Sequence, residues 1–254
     1  TNASVHPSAT EVVGDGIDED CDSHEICYQD ADHDGYRANA TVMSADLDCT
    51  DPGEGTAAEP IDCDDSNPSI GAGVCSLCSS GPLACKASGV TRLTIRNNSD
   101  DRHDQMQFTW GLGEETTAGD VGNPTLDTQY AVCVWDYVGG TPTLVMEMAA
   151  PPGGNCFGRP CWVPIGTDGG FRYNDFGLLP NGIQQLKVRT GRLGKARVSV
   201  KARGTELPDP PMPFQQNPLI TVQVINSLGN CWGADYVSPA RTNTGQKLMT
   251  KEKP

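Results

Sequence analysis

The chain has 254 residues, with 33 Asp plus Glu against 18 Lys plus Arg and a formal net charge of −15. That balance disfavours nucleic acid and anionic membrane as partners, since both repel it, and favours cations. Only 6% of residues are aromatic, whereas Gly (29) and Pro (19) are abundant. This is the composition of a turn-rich chain rather than of a helical bundle, and no apolar run approaches the roughly 18 residues that would span a membrane.

The charge is not spread evenly. Residues 1–70 hold 18 acids and one base, Arg37, while residues 71–254 hold 15 acids and 17 bases. The split predicts two modules with different physics. In chain order the sequence divides into an extended N-terminal segment (1–10), an acidic metal-binding module (11–72), a Cys-rich linker (73–88), a β-sandwich domain (89–238) and a C-terminal tail (239–254). Eleven cysteines in such a chain favour an oxidising compartment. The start at Thr1, without Met, is expected of a mature secreted product. Seven of the cysteines precede residue 88, so a spare thiol is expected in the acidic module or the linker.

Three acidic knots stand out in the first module. The first carries Asp15, Asp18, Asp20 and Asp22; the second carries Asp30, Asp32 and Asp34, followed by Gly35 and Tyr36; the third carries Asp62, Asp64, Asp65 and Asn67. Carboxylates at every second position, closed by Gly, converge on one hard cation. Ca²⁺ takes six to eight oxygens, and a D-x-D-x-D-G turn supplies three carboxylates and a backbone carbonyl, here that of Tyr36. Position 12 of the second loop is Thr41 rather than Glu, so it is not a complete EF-hand and its remaining ligand must come from elsewhere. The third knot is placed to complete a site begun by another. Ser23 stands where a Gly is expected in the first. The four His (His6, His24, His33 and His103) are scattered, which suits softer metals poorly. Ca²⁺ is therefore the expected cofactor, with folding linked to its binding.

Pro7 to Asp22, Tyr28 to Tyr36 and Asp62 to Ile70 together resemble the MopE-type metal-binding repeat of secreted and surface proteins of myxobacteria and related bacteria. The resemblance implies an extracellular, calcium-type site, with copper association known for one namesake. The repeat usually has Cys at the place of Val13 and Gly at that of Ser23. Its departures here imply that Cys21 pairs with Cys27 and that Cys49 pairs with Cys63.

Beyond the linker the pattern changes to short β runs: 90–95, 105–110, 130–135, 144–148, 186–189, 196–202, 220–225 and 232–237. Gly139-Gly140, the glycines 191 and 194, and Leu228-Gly229-Asn230 mark hairpins between them. The expected fold is mainly β, a small disulfide-stapled, loop-rich module followed by an antiparallel sandwich. Cys156 and Cys161 are close enough for a loop staple, which leaves Cys133 for Cys231 among three possible pairings. Cys133 to Asp136, Cys156 to Trp162 and Cys231 to Ala234 resemble a β module found behind such repeats in large bacterial surface proteins.

No nucleophile elbow, zinc-protease helix, P-loop or dinucleotide fingerprint is present, and no enzyme is expected. The four Trp are expected to pack in the core rather than form a sugar platform. Seven bases and no acid lie between Lys187 and Arg203, on strands whose alternation puts most of them on one face. The expectation is a secreted, calcium-stabilised structural subunit of a bacterial cell surface, self-assembling head to tail into a filament or sheath. The alternative is a carbohydrate-binding, adhesive module for surface glycans. Nucleic-acid partners and membrane insertion are not expected.

Overall fold

The computed structural model describes residues 4–33, 35–38, 40–59, 65, 76–78, 81–167 and 169–253. The chain divides into two compact units, Thr1–Cys75 and Ser76–Pro254.

The first unit is built on a three-stranded antiparallel sheet. Its strands are β1 (Ile26–Gln29), β2 (Thr41–Met43) and β3 (Glu54–Gly55), with β1 in the middle. So small a sheet cannot enclose a core by itself, and a Cys27–Cys49 disulfide cross-links it to the following loop. This corrects both pairings expected in this module: Cys27 bonds Cys49, and Cys21 is free and exposed. The reason is geometric. Cys27 is an inward residue of the central strand, fully buried beside Cys49, whereas Cys21 sits at φ +62° on an exposed turn. Cys63 lies outside the described residues. Arg37, the one base of the unit, lays its guanidinium 3.6 Å over the Tyr28 ring and donates to the Glu59 carbonyl at 3.1 Å. Residues 4–10 turn rather than extend: the Ala9 amide donates to the His6 carbonyl, and the His6 amide to that of Glu19.

The second unit is an antiparallel β-sandwich. Its strands are β4 (Ser88–Arg96), β5 (Gln105–Gly113), β6 (Tyr130–Val138), β7 (Thr141–Ala150), β8 (Trp162–Pro164), β9 (Phe171–Asn174), β10 (Ile183–Arg189), β11 (Ala196–Arg203), β12 (Ile220–Asn226), β13 (Cys231–Tyr236), β14 (Thr242–Thr244) and β15 (Lys247–Glu252). One sheet has the order β14-β15-β4-β5-β11-β10-β9-β8 and the other β13-β12-β6-β7. A short helix, α1 (Ala118–Val121), starts on a capping box between Thr117 and Asp120. The Gly139-Gly140 hairpin forms as expected, with both residues at positive φ and Val138 opposite Thr141.

Alternation decides the core. In β4, β5 and β11 every second side chain, such as Leu93, Phe108 and Val200, is buried against the four-stranded sheet. All four Trp are buried, so none offers a sugar platform. Strands β6 and β12 behave differently, with nearly every residue buried on both faces. Leu77, Cys78 and Cys85 cover their outer face, where a second apolar cluster joins Cys78, Cys133, Trp135, Ile225 and Cys231. The disulfides follow from this cover: Cys78–Cys133 and Cys85–Cys231, which correct the expected Cys133–Cys231 pairing, while Cys156–Cys161 staples its loop as expected. Gln223, buried in β12, donates to the Leu83 carbonyl at 2.7 Å and accepts from the Leu83 amide at 3.0 Å. The described residues of the region expected as a linker, 76–78 and 81–87, thus form a strap on the sandwich.

The C-terminal tail is also corrected. β15 pairs along β4 from Lys247 opposite Arg96 to Glu252 opposite Thr91. It buries Leu248 and Thr250, and its outward Lys247, Met249 and Lys251 give it the look of a polar tail.

Candidate metal centre

Among the described residues, two groups of carboxylates converge in the first unit, each with one ligand oxygen per residue lying within 4.8 Å of the others: Glu11, Asp18 and Asp20, and Asp30, Asp32 and Asp65. Of the expected ligands, Asp34, Asp62, Asp64 and Asn67 lie outside the described residues.

The first group is assembled by turns. The Asp22 amide donates to Asp18 Oδ1 and Asp20 Oδ1, each at 3.1 Å, and the Ser23 amide donates to Asp18 Oδ2 at 3.0 Å. Ser23 adopts φ +74°, the conformation for which a Gly was expected. Asp15 and Asp22 are not drawn into the group. Asp15 accepts from the Ile17 amide at 3.0 Å and Asp22 from the His24 amide at 2.9 Å. Glu11 takes their place. Its Oε1 accepts from the Asp20 amide at 2.9 Å, and its Oε2 is buried without a hydrogen-bond partner. Sequence spacing missed Glu11 because it lies seven residues ahead of Asp18, outside the period-two run. Its neighbour Gly14 places it: the Gly14 amide donates to the Ile26 carbonyl at 2.9 Å, and the Gly14 carbonyl accepts from the Ala57 amide at 3.1 Å. This ties residues 11–14 to the sheet.

The second group joins the second knot to the third. Asp30 is buried at the end of β1, and the Gly35 amide donates to its Oδ2 at 3.1 Å. His33 at φ +62° and Gly35 at φ +84° curl the loop between them. Asp65 reaches across and accepts from the Ala31 amide at 2.7 Å. Tyr36 follows on the same loop, half-buried.

Both groups are all-oxygen and all-acidic, without imidazole or thiolate. One buried and one half-buried carboxylate, Glu25 and Glu54, accompany them. Burial raises the Glu25 carboxyl above the ordinary range, a donation from the Gly14 amide lowers it, and Glu11, Asp15 and Glu19 raise it further. Burial likewise raises Glu54, opposed by Ser44 and reinforced by Asp51, Asp46 and Asp48. One oxygen of each, Glu25 Oε2 and Glu54 Oε2, is buried without a hydrogen-bond partner. Like charges so placed repel and are desolvated, and a hard cation relieves both costs. The residues present therefore fit such an ion: Glu11, Asp18 and Asp20 would hold one, and Asp30, Asp32 and Asp65 another.

A third acidic group, Asp101, Asp104 and Asp209, lies in the second unit and is of another kind. Asp104 is buried and accepts from the Asn98 amide at 2.6 Å. Burial, and then Asp104 and Asp101, raise the Asp209 carboxyl; the group reads as a hydrogen-bonded acid pair.

Residues 1–25 and 62–80 match the Cu-binding MopE family, whose description is “Putative metal-binding motif”. The match covers the first and third knots and less than half of the chain; the second knot and the sandwich lie outside it. No curated protein and no solved structure matches the chain. The metal-binding character of the N-terminal unit thus rests on two findings, the motif match and the convergence of its acids.

Proposed function

We propose that this chain is a calcium-stabilised structural module of a bacterial cell surface, and not an enzyme. The observation that carries the reading is the convergence of Glu11, Asp18 and Asp20, and of Asp30, Asp32 and Asp65, into two all-carboxylate groups. Oxygen-only donors on tight turns suit Ca²⁺ better than zinc or copper. The four disulfides among the described residues suit an oxidising, extracellular setting. No described helix is long and apolar enough to cross a membrane. In this role the cation does no chemistry on a substrate; it cancels the repulsion of the acidic unit and locks its turns.

The test is calcium titration of the chelator-treated protein by calorimetry, together with melting in calcium and in chelator. The reading expects binding at the acidic unit and a melting transition that chelation lowers, while the sandwich transition stays put. No heat of binding, with no change in melting, overturns it.

Head-to-tail self-assembly into a filament or sheath is the second reading. It is favoured by the opposite charge of the two units, 18 acids to one base before residue 71 and 17 bases to 15 acids after it. Such a heterologous contact gives open polymers when its rotation does not close. Sedimentation velocity at rising protein concentration in calcium tests it, and a monomer throughout would overturn it.

A further inference from the structure

The solvent face of the eight-stranded sheet carries bases and no acids. Register places Arg172, Lys187, Ser199, Thr109, Arg92 and Lys251 side by side in one row across six strands. At about 4.8 Å between strands, that row runs about 24 Å. A parallel row holds Arg203, Gln105, Arg96 and Lys247. Arg189 faces Arg197 on the same side, and Lys201 stands between Gln185 and Gln107. In all, ten of the 17 bases after residue 70 share this face. The one acid in these strands, Glu252, lies opposite Thr91, whose side chain is buried on the inner side. Among the described residues none of the ten bases forms an ion pair. Lys187 shows the crowding: burial, then Arg172, Arg189 and Lys201, hold its ammonium below the ordinary lysine range.

The face also has a built feature. A register shift in β11 between Ala196 and Val198 opens a hollow of about 230 Å³. Lys187, Arg189 and Arg197 line it with the hydroxyl-bearing Thr109 and Ser199, beside Trp110 and Val198. Three cations and two hydroxyls around one depression are a donor-rich seat for a single anionic group.

We infer that this face binds a linear acidic polysaccharide, one carrying carboxylate or sulfate groups, with one such group seated in the hollow. Three observations select this occupant among polyanions. Neutral hydrogen-bonding side chains are interleaved with the bases, namely Ser199, Thr109, Thr94, Gln107, Gln185 and Asn174. They suit sugar hydroxyls. No exposed aromatic residue stands on this face, and Trp110, which lines the hollow, is buried, so the stacking platform of a single-stranded nucleic-acid site is missing. The acidic unit of a second copy is the weaker candidate, because its carboxylates are turned onto their own backbone: Asp18 takes the Asp22 and Ser23 amides and Asp48 takes the Thr50 amide, while Glu19 and Glu25 are buried. The chain's own negative charge does not forbid the contact, since at physiological salt fields fade beyond roughly 8 Å.

Fluorescence anisotropy with labelled hyaluronan and dextran sulfate, beside uncharged dextran and duplex DNA of similar length, tests this on the full chain in calcium. Face-dependent binding of either acidic polymer, and none of dextran, is expected. Arg92→Glu with Lys187→Glu should weaken binding at least about tenfold. Arg192→Glu with Lys195→Glu makes the same charge change in the turn between β10 and β11, outside the strand rows, and should weaken it less than about threefold. Arg197→Ser, a milder change at the hollow, should weaken it severalfold, and unchanged Trp emission reports the fold of each variant. Equal loss for the two double variants, tighter binding of DNA than of either polysaccharide, or self-association that the Arg92/Lys187 variant abolishes would each overturn the inference.

Discussion

Gly14 is the residue through which the fold of the acidic unit and its first carboxylate group depend on each other, and Gly14→Ala tests that dependence. It sits at φ +72°, and a methyl group there would lie 2.8 Å from the Ala57 amide nitrogen and 3.2 Å from the Tyr28 ring. The left-handed conformation costs alanine about 1 kcal/mol, and moving backbone aside adds roughly 1–3 kcal/mol, for a total of about 2–4 kcal/mol. Gly16 is the internal control: it has φ +77°, but nothing lies within 4 Å of a methyl group there, so Gly16→Ala should cost only about 1 kcal/mol. The chain supplies a clean assay. Arg37 is the only Lys or Arg in residues 1–75, so trypsin can cut the first unit at one place. In the folded unit that side chain is held over Tyr28. When opening is fast, cleavage follows the open population, so Gly14→Ala should speed cutting at Arg37 about 30- to 1,000-fold and Gly16→Ala roughly fivefold. All four Trp lie in the second unit, and their emission should report an undisturbed sandwich. Equal effects of the two substitutions would refute the contact argument.

Three further predictions follow the same logic. Glu11→Gln and Asp32→Ala should each weaken calcium binding about tenfold or more by calorimetry, while Asp100→Ala, an exposed cap of the turn at Asp101–His103, should leave it unchanged. Ser23→Gly should stabilise the acidic unit by about 0.5–1 kcal/mol, because Gly meets φ +74° without strain; slower cutting at Arg37 is the readout. Gln223→Ala removes both partners of Leu83 and should lower sandwich stability by about 2–3 kcal/mol in urea unfolding followed by Trp emission; an unchanged midpoint would show that the strap is not held by this side chain.

The parts of the fold that were legible in sequence are those where one face of a strand meets the core and the other meets water. Strand β11 alternates along its whole length and β4, β5 and β10 along part of theirs, and the Gly-marked hairpins closed where expected. What stayed hidden depended on tertiary cover. Strands β8 and β9 have three and four residues, too few for a period to show. β15 hid behind its outward Lys247 and Lys251. The strap over β6 and β12 is a Gly-, Pro- and Ser-rich stretch with no period, and only the two-sided burial of those strands reveals why its cysteines reach Cys133 and Cys231. At the candidate site, the period-two acids Asp18, Asp20, Asp30 and Asp32 were visible. The contribution of Glu11 was not, since it is delivered by a backbone tie at Gly14 rather than by spacing.

Trypsin cleavage at Arg37 of the unmodified chain, with calcium and after chelation, tests the central claim most directly. With calcium at about 100 times its dissociation constant, linkage stabilises the acidic unit by about 2.7 kcal/mol. The account therefore predicts that chelation speeds cutting about 100-fold while Trp emission from the sandwich is unchanged. Equal cleavage rates, with calcium removal verified, would contradict it.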